Sequence, residues 1–275
     1  MPKNRLLTRA AAVLAAAATA FGLSACASGA APEYVTPGKL TIATGEPAYF
    51  PYVIDDDPAS GEGFESAIGY AVAEQLGFAA ADVVWVRSTF DEAIAPGPKS
   101  YDLNLQQISI TDERKGSIDF SPPYYSAGQA VIAVEGSKAA KATSIADLRS
   151  LSIGAATGTT SLKAIEQVIA PTTPAQVFNS NDDAKLALES GQVDALVVDV
   201  PTAFYITGVE LDGGVIVGQL PDVEGETDQW GLALPKGSAL TAAVTKAIET
   251  LRSNGTLASI AAKWLGADQG VPLLK

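Results

Sequence analysis

The stretch Tyr101–Tyr124, YDLNLQQISITDERKGSIDFSPPY, carries the reading on which the rest of the chain depends. Leu103, Leu105, Ile108 and Ile110 have the character of buried strand positions. Thr111 then stands where a helix N-cap belongs, with Asp112 and Glu113 in the first turn. Arg114 follows at once. A guanidinium just inside a short capped helix has its stem restrained, so it can present two parallel N–H donors to a carboxylate at reduced entropic cost. Ser109 can add a hydroxyl and a backbone N–H to the same place. The same residues also allow an exposed arginine paired with Asp112 or Glu113, a weak surface interaction.

Composition narrows what such a site serves. At 275 residues and 47% hydrophobic content, the chain can bury one large core or two modest ones, and its length favours two. The absence of histidine excludes Ser-His-Asp and Cys-His catalysis and the usual zinc ligand sets. Carboxylate, lysine, tyrosine or serine chemistry remains open. Cys26 stands alone, so the fold rests on burial without an internal disulfide.

Residues 1–25 read as a signal peptide: Lys3, Arg5 and Arg9 form a basic start, and Ala10 to Leu23 an apolar run of secretory rather than membrane-spanning length. Leu23-Ser24-Ala25-Cys26 resembles a bacterial lipobox, which would make Cys26 the diacylglycerol-linked mature N-terminus; ordinary secretion with a free thiol is the alternative. Buried lipid methylenes contribute roughly 0.8 kcal/mol each, and two or more chains anchor stably. Residues 26–38, small and polar with Pro32 and Pro37, read as a tether. The rest holds 15 basic against 31 acidic side chains, a formal charge of −16, which repels nucleic acid and equally suits the solvated surface of an exported protein.

Along the chain, strand and helix patterns alternate without a fixed-period repeat, which predicts an α/β fold with two parallel-sheet lobes. Lys39 to Ala43 alternates as a strand, and Phe64, Ala67, Ile68, Ala71, Val72 and Leu76 share one helical face ended at Gly77. Val83 to Val86, Tyr124 to Val134, Leu151 to Ala155 and Val193 to Val198 read as strands. After the strand at 151–155, the turn Ala156–Ser161 leads into a helix from Leu162 to Ile169, a helix-terminus arrangement suited to an anion, with Thr160 as an N-cap. Its spacing is not that of a phosphate loop. Asn181-Asp182-Asp183 reads as the cap of a helix over 184–189, and Asp199 lies off the end of the 193–198 strand, where it serves a ligand or caps the helix over 202–207. Ser238 caps a long closing helical stretch broken at Asn254-Gly255, and residues from Ala267 to Lys275 read as a loose tail. The run Asp55-Asp56-Asp57 lacks the spaced oxygen ligands of a calcium site.

The order of residues in DLNLQQISITDERKGSIDFSPPYY resembles the signature of the family-3 extracytoplasmic solute-binding proteins, the amino-acid receptors of ABC importers, and matching segments cover roughly Lys39 to Gly266. The resemblance implies a two-lobed, type II periplasmic-binding-protein-like fold with a two-strand hinge: residues 39–127 and 231–268 in lobe 1, 128–230 in lobe 2 with the crossings, and 269–275 as tail. It implies that Arg114 and Ser109 hold a ligand's α-carboxylate, with Thr159 and Thr160 completing that shell, and that Asp199 binds the ammonium. Tyr49 and Phe90 would sandwich the ligand side chain in a pocket shared with Glu46, Gln106 and Gln107. Phe90 alone also suits core packing, and Glu46 also suits an exposed loop. Glu46, if buried, needs a partner and so leans toward a basic or polar ligand. Gln106 and Gln107 depart from the small residues common in the family, and Gly63-Phe64-Glu65-Ser66 departs from its usual G-F-D-x-D, which weakens a role for a second acid there.

The implied protein is a monomeric, lipid-anchored, extracytoplasmic receptor that partners a membrane permease, with no cofactor, metal or catalysis. Two other classes share the fold: carboxylate-dependent enzymes such as dehydratases or sugar-cleaving chains, and sensory modules, which normally continue into a signalling or membrane segment.

Overall fold

The Lys39–Ala43 alternation becomes β1 (Leu40–Thr44), buried at all five positions, as a central strand covered on both faces must be. These coordinates belong to a computed structural model, which describes residues 33–223, 227–266 and 270–275. The signal peptide, Cys26 and residues 267–269 of the expected tail lie outside the described residues. Tyr34–Lys275 forms one compact unit. The end of the expected tether is packed rather than free: Tyr34 meets Phe78 edge-on at 5.0 Å, and the Val35 N–H donates to Asp102 at 3.0 Å.

From β1 the chain passes through α1 (Phe64–Gln75), whose Phe64, Ile68 and Val72 are buried as the helical spacing predicts. Gly69 on this helix lets Trp85 lie flush, since a Cβ there would fall 2.7 Å from the indole ring. Then follow β2 (Val83–Arg87), α2 (Phe90–Ile94), β3 (Leu103–Asn104), α3 (Asp112–Lys115) and β4 (Ile118–Phe120). The expected strand over Tyr124–Val134 is two strands, β5 (Tyr125–Ala127) and β6 (Gln129–Val134), parted at Gly128. Next come α4 (Ile145–Leu148), β7 (Ile153–Ala156), α5 (Thr160–Ala164), β8 (Gln176–Phe178), α6 (Asn181–Glu189), β9 (Ala195–Asp199), α7 (Val200–Tyr205) and β10 (Gly214–Gln219). The chain closes with β11 (Asp228–Trp230), β12 (Ala233–Pro235), α8 (Thr241–Ser253) and α9 (Thr256–Trp264).

The strands form two five-stranded sheets, ordered β2-β1-β3-β12-β4 and β10-β6-β9-β7-β8, and a two-stranded ribbon of β5 and β11. This is a two-lobed α/β fold whose sheets are mixed rather than wholly parallel. β1 pairs in parallel with β2 and β3, and β9 and β8 flank β7 in parallel. The strands that run against the rest, β12 in the first sheet and β6 in the second, are the ones that leave the ribbon; β10 pairs antiparallel with β6 and so shares the direction of β9. A strand entering from a crossing runs against strands laid down by βα units, so the ribbon itself introduces the opposed direction.

Each sheet has its own core: Leu40, Ile42, Phe64, Ile68, Leu103 and Trp230 in the first, Val131, Ile153, Ile165 and Val197 on one face of the second. Ala130, Ile132, Leu196 and Val198 cover that sheet's other face. The described end of the expected loose tail, residues 270–275, is docked on this second lobe. Leu274 is buried, Gln219 exchanges bonds with Pro272 and Leu274 at 2.8 Å each, and the Ile145 N–H donates to the Lys275 carbonyl at 3.0 Å. Asp56 of the acidic run accepts from the Ala48 N–H at 2.9 Å and pairs with Arg87 at 2.6 Å, a structural use of the residue.

Candidate functional site

Ligands of α/β sheets lie off the carboxyl ends of the strands, and here the segments that leave β1, β2, β3, β7, β8 and β9 converge on one cleft of about 150 Å³. All ten residues singled out as ligand-binding line it: Glu46, Tyr49, Phe90, Gln106, Gln107, Ser109, Arg114, Thr159, Thr160 and Asp199. Tyr52, Gln129, Asn179, Ser180 and Asn181 line it too.

Arg114 is set by the local sequence as expected. The Thr111 hydroxyl accepts the Arg114 N–H at 3.2 Å, fixing a one-turn helix. Arg114 is 7% exposed; Nη1 donates to the Ser109 carbonyl at 2.7 Å and Nη2 to the Gly158 carbonyl at 2.8 Å. Its plane lies 5.3 Å from the Phe90 ring centroid, a cation–π distance. Among the described residues no carboxylate is within 4.0 Å of it; Asp112 pairs with Lys115 instead. Arg114 is therefore not the exposed, locally paired arginine that the sequence also allowed. Burial lowers its pKa to about 10, against the opposing pull of Asp228 and Glu113.

Thr159, not Thr160, caps α5: its hydroxyl accepts the Leu162 N–H at 3.2 Å and donates to the Ala156 carbonyl at 2.7 Å. The turn closes one residue earlier than expected because only Thr159 has the extended backbone of a cap. Thr160 is left to bond Asp228 at 2.6 Å, with Ser109 Oγ 3.3 Å away. Gln129 extends this network, donating to Asp228 at 2.7 Å and accepting from Ser161 at 2.6 Å. Likewise Ser180, rather than Asn181-Asp182-Asp183, caps α6.

Asp199 caps α7, accepting the Thr202 N–H on Oδ1 at 2.9 Å and the Thr202 hydroxyl on Oδ2 at 2.8 Å. Burial raises its carboxyl above the ordinary aspartate value, with the Thr202 and Tyr52 hydrogen bonds opposing. Oδ1 also accepts the Tyr52 hydroxyl at 2.7 Å. Sequence reading missed Tyr52, whose partner is far along the chain. Its loop is shaped by Gly63 at φ +108°, where a Cβ would strike the Tyr52 carbonyl.

At the side-chain end, Glu46 takes the exposed-loop alternative and the two glutamines are held differently. Glu46 is exposed, so burial does not oblige it to find a partner. Gln106 is buried; its amide nitrogen donates to the Ser88 carbonyl at 3.2 Å, and its Oε1 has no hydrogen-bond partner among the described residues. Gln107 takes a left-handed φ of 50°, held by Glu65: the Gln107 N–H donates to Glu65 Oε1 at 2.7 Å and its side-chain amide to Oε2. Glu65 thus acts from behind the cleft lining. Phe90 faces both ways, lining the cleft while packing on Ala93, Ile108 and Ile118. Burial, then Asp182, pushes the Tyr49 phenol up to about 12, so it remains a donor.

Among the described residues no helix is long and apolar enough to cross a membrane, and no cluster of acidic or cysteine side chains could hold a metal. Residues 40–267 match the family described as bacterial extracellular solute-binding proteins, family 3. The L-arginine-binding protein of Pseudomonas aeruginosa is 32% identical over 232 residues, 81% of this chain and 86% of the relative. The L-cystine-binding protein TcyJ of Escherichia coli is 28% identical over 226 residues, 81% of each chain. A solved ancestral arginine-binding protein bound to glutamine superposes with a TM-score of 0.69 at 31% identity, covering 84% of this chain and 99% of its own. With the family matched across both sheets and the cleft between them, this chain belongs to the family-3 bacterial extracellular solute-binding proteins.

Proposed function

We propose that the cleft binds one free L-amino acid and that the protein hands it to the permease of an ABC importer. The observation that carries this reading is Arg114: a buried arginine with two donors on carbonyls and, among the described residues, no further hydrogen-bond acceptor on its guanidinium and no carboxylate in ion-pair reach. A buried cation in this state is stabilised by an anion brought from outside. The ligand α-carboxylate meets Arg114 and Ser109, with backbone and hydroxyl groups of Thr159 and Thr160 beside it. The ammonium meets Asp199, and the side chain extends toward Tyr49, Phe90, Glu46, Gln106 and Gln107. Gln106 Oε1, a buried acceptor without a protein partner, favours a side chain that donates N–H, as in a polar or cationic amino acid. The relatives named for arginine and cystine support the same class.

The protein acts without catalysis or cofactor, as a monomer, with residues 39–127 and 231–268 in one lobe and 128–230 in the other. Acylated Cys26 holds it at the outer face of the membrane. Metabolic labelling with palmitate, lost in Cys26→Ser, tests that anchor.

Calorimetric titration with L-arginine, L-glutamine, L-histidine and L-cystine tests the clamp, with the ligand recovered and weighed afterwards to confirm that it is unaltered. At least one binds the parent. Arg114→Ala and Asp199→Ala each weaken it at least thirtyfold, the scale of breaking one partner of a buried charge pair. Parent-like affinity in both folded variants overturns the reading.

A further inference from the structure

Tyr52 leaves the first lobe and ends in the second. Its ring packs in the first core, edge-on to Trp230 at 5.7 Å, and only 1% of its surface is exposed. Its hydroxyl reaches Asp199 Oδ1 at 2.7 Å and lies 2.9 Å from Thr202 Oγ1, both at the end of the second sheet. No other phenol lining the cleft has a hydrogen bond to Asp199 among the described residues.

The acceptor count on Asp199 allows this bond and a ligand together. A carboxylate offers about four lone-pair sites. Among the described residues, Oδ1 takes the Thr202 N–H and the Tyr52 hydroxyl, whereas Oδ2 takes only the Thr202 hydroxyl. Tyr52 and Thr202 therefore hold the carboxylate in one orientation and leave Oδ2 capacity for an ammonium. Burial beside Asp199 keeps the Tyr52 phenol well above its ordinary pKa, so it stays protonated and donates. The bond joins protein atoms alone, and it forms only when the loop after β1 meets the turn after β9. Other contacts cross in the same way, among them Arg114 to the Gly158 carbonyl, Ser109 to Thr160, and Phe50 against Tyr205 at 4.6 Å. Of these, only Tyr52 grips a group assigned to the ligand's ammonium.

We propose that Tyr52 is a positioning residue and closure latch: its hydroxyl bonds Asp199 when the lobes meet, stabilising the closed state while aiming Oδ2 at the bound solute. This rests on the assignment of Asp199 to the ligand ammonium. A latch that touches protein alone adds the same increment to every solute, because the apparent affinity scales with the population of the closed form. It sets retention, leaving discrimination to the side-chain end.

Tyr52→Phe removes the hydroxyl and keeps the ring. L-arginine and L-glutamine serve as probes in calorimetry and stopped-flow measurements. The expected result is affinity roughly tenfold weaker for both, the size of one hydrogen bond to a charged acceptor exchanged for water, appearing as faster dissociation. Parent-like affinity for both overturns the latch and leaves the amino-acid reading standing. A loss confined to one probe also overturns it, since that pattern belongs to a side-chain contact. If the parent binds neither, the amino-acid reading rests on L-histidine and L-cystine, and solution scattering of the free proteins decides the latch: a larger radius of gyration in Tyr52→Phe supports it, and an equal one overturns it.

Discussion

Glu65 sits in the first turn of α1 with none of its surface exposed, and three donors converge on it: the Gln107 N–H, the Gln107 amide and the Tyr124 hydroxyl. Desolvation outweighs those hydrogen bonds and, with Asp199 adding repulsion, pushes the carboxyl up to about 7. Tyr124 and Tyr52, the other titratable neighbours, are themselves held well above their ordinary values and stay neutral. The unfolded chain ionises Glu65 near the usual glutamate value, so between there and 7 the unfolded state holds fewer protons and stability falls as pH rises. The contribution is about 3 kcal/mol across the window. Urea unfolding of the parent and Glu65→Gln at pH 5 and pH 8 should show the parent's advantage shrinking by that order toward pH 8; a constant gap contradicts the account. From sequence, Glu65 was only a departure from a family motif. Its role depends on Gln107, 42 residues away, and on a left-handed backbone that glutamine rarely announces. Arg114, by contrast, was legible because its cap, its turn and its Ser109 partner are all within five residues, although Gly158 and Phe90 are not. Tyr52 was not, because its partner is 147 positions distant.

At the scale of elements, α3 is a single turn that exists to aim one side chain. Isolated turns are not stable, since nucleation costs more than one hydrogen bond returns, so the Thr111 cap matters more here than on a long helix. Thr111→Ala should cost about 1 kcal/mol in unfolding free energy. It should also weaken amino-acid binding several-fold in calorimetry, because the Arg114 stem is no longer fixed; an unchanged affinity would show that the Ser109 and Gly158 carbonyls and Phe90 set the guanidinium without the cap. Elements with a single strong pattern were readable in the sequence, such as α1 from its apolar face and β9 from its unbroken apolar run. Others lacked such a pattern. β10 is cut by Gly214 and Gly218 and slips register between Ile216 and Gly218, which hides its alternation. α5 and α7 run on into wider π-helical turns at Ile165–Ile169 and Ile206–Glu210, for which no local residue pattern prepares the reader. Caps were misplaced by a residue or two, Thr159 for Thr160 and Leu240 for Ser238, because the choice among adjacent candidates rests on backbone angles rather than residue type.

At the scale of the molecule, the C-terminal residues tie together parts that the two-stranded ribbon already joins. α9 packs through Leu257 into the first core, whereas Leu274 lies in the second, so the chain makes a further crossing between them. The docking is specific. A Cβ on Gly218 would fall 2.7 Å from the Leu274 Cγ and 2.9 Å from the Pro272 carbonyl, and Leu273 bridges Gln219 in parallel. Two leucines beside a terminal lysine gave no periodic signal, which is why the segment read as a loose tail; Leu274 is received by β10 and the start of α4, whereas Leu273 stays exposed. Hinge opening depends on few connections, so a third one limits how far the halves separate. Leu274→Ala removes a buried side chain and should cost about 2–5 kcal/mol in the second core, read as earlier thermal unfolding. If the tail restrains opening, the variant's radius of gyration in solution scattering should exceed the parent's before an amino acid is added. Saturating ligand should then bring the two together, because cleft contacts alone define the closed form. Lower stability with identical scattering would leave Leu274 as core filling and remove the tail from any part in the motion.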